Sequence, residues 1–116
     1  MKRWLLLLLM VACQPRPVVD VVSDAPVKEF TVRAFQFGYD PATIEVNKGD
    51  RVVIHAYSDD VPHGLRIPDF GVQMSIYDST PVTAEFIADK SGEFSFSCSI
   101  PCGHGHKGMS GMLVVI

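Results

Sequence analysis

A chain of 116 residues supports one small domain with a single hydrophobic core. Thirteen acidic against ten basic residues give a net charge of −3, which argues against nucleic acid and suits a positively charged protein partner. Cysteine is scarce, with three in the whole chain, so the placing of each one carries information.

In chain order, Lys2 and Arg3 precede an apolar run, Trp4-LLLLLMVA. A spanning helix needs about 20 apolar residues, so this run reads as the hydrophobic region of a secretory leader. Met10-Val11-Ala12 stand just before Cys13, with Gln14 after it. That junction resembles the lipobox of bacterial lipoproteins, which implies cleavage before Cys13 and acylation of its sulfur. Ordinary cleavage, with Cys13 left as a free thiol, is the alternative. Two or three acyl chains, at about 0.8 kcal/mol per buried methylene, hold a protein stably at a membrane. Gln14 to Pro26 contains three prolines and no period and reads as a tether. The expected organisation is therefore a leader over 1–12, a tether over 13–26 and a domain over 27–116. Without Lys2 and Arg3 the basic count falls from 10 to 8 against 13 acids, a net charge of −5. The expected location is the bacterial cell envelope, lipid-anchored and facing the periplasm or outer side.

From Val27 onward the chain alternates. Phe30, Val32 and Ala34 share one face of a strand, as do Val52, Ile54 and Ala56, and then Val82, Ala84 and Phe86. Turn punctuation at Asp40-Pro41, Asn47-Lys48-Gly49-Asp50 and Ser91-Gly92 separates these runs, and GMLVVI over 111–116 ends the chain. No stretch of the mature chain keeps a helical period over eleven residues. The pattern predicts an all-β sandwich or barrel with Greek-key connections. Period two also puts Phe94, Phe96 and Cys98 on one face, so Cys98 points inward at a strand end.

The loop that follows is the chemically dense part: Cys98-Ser-Ile-Pro-Cys102-Gly-His-Gly-His106-Lys-Gly-Met109. Export makes a Cys98–Cys102 disulfide a candidate. Such a bridge constrains little chain and leaves His106 and Met109 without a role. Zinc is a second candidate, with Cys98, Cys102, His104 and His106 as ligands. However, His104 and His106 flank a single glycine, a poor arrangement for joining both cysteines at one ion. Copper accounts for more residues. Two imidazoles, one thiolate and a weak thioether form a known copper set, and Cys102, His106 and Met109 supply three of these. His63, in the loop Asp60-Val-Pro-His63-Gly after the strand through Tyr57 and before Leu65-Arg-Ile67, is the natural second imidazole. Cys98 then separates one copper from two: a second thiolate beside a mononuclear site is a redox liability, whereas two bridging thiolates give every residue a role.

Cys98-x-x-x-Cys102-x-x-x-His106-x-x-Met109 with an upstream histidine resembles the CuA motif of cytochrome c oxidase subunit II, and nitrous oxide reductase carries a similar domain. The likeness runs from about Phe35 to the C-terminus and includes Phe37-Gly-Tyr-Asp-Pro41 and Ser91-Gly-Glu-Phe94. It implies a cupredoxin-like fold and a two-ion copper centre. Cys98 and Cys102 would bridge, His63 and His106 would each bind one ion, and Met109 and the Ile100 carbonyl would be weak ligands. By the same resemblance Asp60 is a candidate supporting residue close to His63; a solvated loop acid next to Asp59 is the alternative. Implied partners are a cytochrome c-like donor and a haem-copper oxidase subunit I. The chain alone would catalyse nothing, serving at most as the electron-accepting subunit of a cytochrome c oxidase. A copper-delivery lipoprotein and a mononuclear cupredoxin are the competing readings. His55 reads as an ordinary strand histidine, His104 as a tuning or electron-leading residue, and Met74 and Met112 as packing residues. Trp4 leaves with the leader, so Phe35, Phe37 and Tyr39 stand in place of the tryptophan-containing stretch of oxidase subunits.

Overall fold

The structure is a computed structural model and describes residues 25–116. The leader, Cys13 and nearly all of the tether lie outside the described residues. Nine strands follow in order: β1 (Val27–Phe35), β2 (Gly38–Asp40), β3 (Thr43–Val46), β4 (Arg51–Ser58), β5 (His63–Ile67), β6 (Val72–Ile76), β7 (Val82–Ile87), β8 (Gly92–Ser97) and β9 (Ser110–Val115). They form two sheets, one ordered β2-β1-β4-β7 and the other β3-β9-β8-β5-β6. The β1–β4 and β3–β9 pairs are parallel and the remaining pairs antiparallel. The all-β expectation holds, and non-sequential neighbours in both sheets supply the Greek-key character.

Alternation sorts the side chains as the pattern requires. Val32 and Ala34 of β1, and Val52, Ile54 and Ala56 of β4, are buried and face Ile44, Leu65, Ile67, Phe96 and Leu113 of the second sheet. Fully burying a side chain of this size contributes about 1.5–3 kcal/mol each, and these positions hold the sheets together. Two strands carry weaker signals in the sequence. β3 has four residues, with only Ile44 and Val46 turned inward. β6 is also short, five residues in which core-facing Val72, Met74 and Ile76 alternate with polar Gln73 and Ser75.

The pairings bring several strand ends to one pole. β1 and β4 run parallel and finish there at Phe35 and Ser58. β8 also ends there, at Ser97 opposite Ser110, and β5 begins there at His63 opposite Ile76. Among the described residues, no helix is long and apolar enough to cross a membrane.

Candidate metal centre

The pole is built from strand β8 outward. Phe94 is half-buried, Phe96 fully buried and Cys98 buried, so the predicted inward face of this strand is the observed one. Phe96 meets the ring of Tyr39 edge-on at 5.1 Å. The Tyr39 hydroxyl donates to the Gly64 carbonyl at 2.6 Å, and burial, followed by the neighbouring cysteines, pushes its pKa strongly upward, so it stays protonated. Gly64 sits against the cysteine loop because it has no side chain. A Cβ there would stand 2.8 Å from the Ser99 nitrogen and collide with the Ser99 hydroxyl. Its own N–H reaches the Cys98 sulfur at 3.4 Å.

Cys98 and Cys102 are free thiols with their sulfurs 3.4 Å apart, well beyond the disulfide bond length of about 2.05 Å. Burial first, and then the bond to Cys98, pushes the Cys102 thiol up to about 11. The Ile100 carbonyl lies 3.1 Å from the Cys98 sulfur. On the other side, the Cys102 sulfur is 3.6 Å from His106 Nδ1 and 3.7 Å from the Met109 sulfur. Met109 is fully buried and His106 half-buried.

His63 completes the cluster from the other segment. The sequence places it in a loop before a strand; in the structure it is the first residue of β5 and fully buried. Its Nε2 meets Asp60 Oδ1 at 2.7 Å. Desolvation raises the Asp60 carboxyl, but bonds from the Val61 N–H, His63 and the Gln36 N–H outweigh it and hold it below the ordinary range. An ionised carboxylate accepts only, so Nε2 carries a proton, and in the neutral ring Nδ1 is the nitrogen with the free lone pair. That Nδ1 is buried without a hydrogen-bond partner. A buried nitrogen base in this condition is costly unless a ligand meets it. The ligand atoms of His63, Cys98 and Cys102 all lie within 4.8 Å of one another. Imidazole, two thiols and a thioether, gathered in the buried interior around an unpartnered nitrogen, fit a soft metal such as copper.

The structure therefore brings together every residue singled out for this cluster, with Asp60 bonded to His63. The other soft residues stand elsewhere. His55 is on the outer face of the first sheet, bonded to Glu29 at 2.6 Å and Thr83 at 2.8 Å. His104 is exposed, Met74 is buried in the core, and Met112 is half-buried in β9. Sequence reasoning passed over Gln36 and Gly64, both of which touch the cluster. The crowding at Gly64 has no signal in a single sequence.

Comparison with known proteins agrees with this geometry. The cupredoxin-like domain family matches residues 3–115. Cytochrome c oxidase subunit 2 of Thermus thermophilus is 34% identical over 101 residues, covering 85% of this chain and 74% of that protein. Nitrous-oxide reductase of Stutzerimonas stutzeri is 32% identical over 100 residues, 84% of this chain but 14% of that protein. These similarities start well before Phe35, further towards the N-terminus than the motifs alone indicate. A haem-copper terminal oxidase dimer solved by cryo-EM contains a chain that superposes with a TM-score of 0.75 at 22% identity, covering 92% of this chain and 78% of that one. Matched along nearly all its length, and sharing a third of the 101 aligned residues with an oxidase subunit, the chain belongs to the cupredoxin-like domain family as a relative of cytochrome c oxidase subunit 2.

Proposed function

We propose that this protein is an electron-transfer cupredoxin whose centre holds two copper ions and passes single electrons towards a haem-copper oxidase. The observation that carries the reading is the pair of free, buried sulfurs 3.4 Å apart beside the unpartnered Nδ1 of His63. A second thiol would be idle at a mononuclear site, whereas a two-ion centre would use both. His63 would hold one ion and His106 the other, with Met109 and the Ile100 carbonyl as weak ligands. When bound, copper supplies reversible one-electron exchange between Cu(I) and Cu(II).

The protein's own contribution is rigidity and exclusion of water. Cys98 follows directly on β8, His63 opens β5, and Met109 immediately precedes β9, so neighbouring strands of one sheet fix the donor positions. Cys98, Cys102, His63 and Met109 are all buried, which keeps water and small oxidants from the sulfurs. His106, half-buried, is the donor nearest the surface and the natural point for electrons to cross.

Export, the leader over 1–12, the tether over 13–26 and acylation at Cys13 belong to the same proposal. They rest on the residues around Cys13 and on the likeness to oxidase subunit 2. The cytochrome c-like donor and oxidase subunit I are proposed as partners on that likeness. Replacing Cys13 with Ser should move the protein from the membrane fraction to the soluble one.

The deciding measurement is copper uptake under reducing conditions, followed by EPR after partial oxidation. Two ions per chain, with hyperfine splitting from two equivalent nuclei, is the expected result. One ion per chain, with a spectrum unchanged by Cys98→Ser, would favour the mononuclear reading. Rapid loss of Cu(I) to a competing chelator would favour delivery.

A further inference from the structure

The donors of the cluster come from two segments distant in sequence, the start of β5 and the loop 98–109. Gln36, in the connection between β1 and β2, touches both. Its backbone N–H donates to Asp60 Oδ2 at 2.8 Å, and the other oxygen of that carboxylate binds His63 Nε2. Its side-chain Nε2 donates to the Cys102 carbonyl at 2.8 Å. A carbonyl cannot donate, so the amide nitrogen must face it. The next residue, Phe37, lies over the same loop, and a Cβ on Gly103 or Gly105 would stand 3.0 or 2.5 Å from its ring. A continuous line of polar contacts thus runs from His63 through Asp60 and Gln36 to Cys102, and no metal is needed to close it.

We infer that Gln36 is a positioning residue that holds the cysteine loop at its distance from His63 before copper binds. The inference rests on reading this cluster as a copper centre. The loop needs such a brace. Its own backbone bonds are short turns, from His106 to Gly103, Gly108 to Gly105 and Met109 to His106, plus one tie from Cys98 to Met109. Without the Gln36 amide, the Cys102 carbonyl turns to water and the loop samples more arrangements. Copper must then offset the cost of ordering it, and affinity falls. Outer contacts of this kind typically change metal affinity about 10–100-fold.

The test uses the full chain as wild type, Gln36→Ala and Gln36→Glu, each loaded with copper and titrated with a Cu(I)-selective chelator. Gln36→Glu keeps the size and the backbone N–H but at neutral pH offers the Cys102 carbonyl only acceptors. Both variants should hold copper about tenfold more weakly. Both should also show an altered hyperfine pattern and faster amide exchange across 98–109 in the metal-free protein. Because Gln36 is an exposed residue outside the hydrophobic core, metal-free melting temperatures should stay near that of wild type. Wild-type affinity and spectrum in Gln36→Glu would show that the side chain only fills space and would overturn the inference. A wild type that takes up no copper at all removes the metal-centre reading, and this inference with it.

Discussion

At position 63 the choice of nitrogen is made by Asp60. Three donors converge on that carboxylate, the Val61 N–H at 2.6 Å, the His63 ring at 2.7 Å and the Gln36 N–H at 2.8 Å, and together they keep it ionised. The result is a histidine committed to one tautomer, with its free lone pair on the buried side. Asp60→Asn puts an amide NH2 where one of those donors needs an acceptor, and the ring loses its fixed tautomer. Copper affinity should fall about 10–100-fold, read by chelator competition. Gly64 poses the opposite problem, since it works by having no side chain. Gly64→Ala drives a methyl into Ser99 and displaces the backbone next to Cys98. It should cost about 1–3 kcal/mol of stability by urea denaturation, as overpacking does, and it should weaken copper binding.

Among the elements, β8 does most to place the centre. Its alternation was legible in advance, because Phe94, Phe96 and Cys98 share a face in any extended conformation. Phe96 fills the space between the sheets and meets Tyr39 edge-on, and the Tyr39 hydroxyl holds Gly64 in turn. Phe96→Ala should therefore destabilise the fold by about 3–5 kcal/mol in a denaturant titration. It should also loosen the cysteine loop. β6 was illegible for a physical reason. It is a strand of five residues, too short for its alternation of Val72, Met74 and Ile76 with Gln73 and Ser75 to stand out, and it is held by pairing with β5 that only the folded sheet provides. The start of β5 was misplaced for a similar reason. Asp60-Val-Pro-His63 reads as a loop, but antiparallel pairing of His63 with Ile76 extends the strand to the histidine.

For the molecule as a whole, the two poles have different tasks. At the pole away from the cysteines, Asp50 closes the turn from Asn47. Its carboxylate accepts from Lys28 at 2.6 Å and from the Asn47 N–H at 2.8 Å, and these bonds hold it below its ordinary range. A depressed carboxyl stabilises the fold fully above the unfolded value of about 3.9, and the effect is lost as pH falls through the lowered value. Asp50→Asn should thus lower the melting temperature at neutral pH. Calorimetry across acid pH should show the gap to wild type narrowing below about pH 3.9.

The residues by themselves determined the all-β class, the inward aim of Cys98 and the chemical character of the loop 98–109. Period-two alternation and ligand softness are local properties, written into neighbouring positions. Tertiary structure alone decided that His63 stands within 4.8 Å of both sulfurs, that its Nδ1 is left without a partner, and that Gln36 spans the two segments. Those facts depend on how two sheets bring distant strand ends to one pole, and no local pattern encodes that convergence.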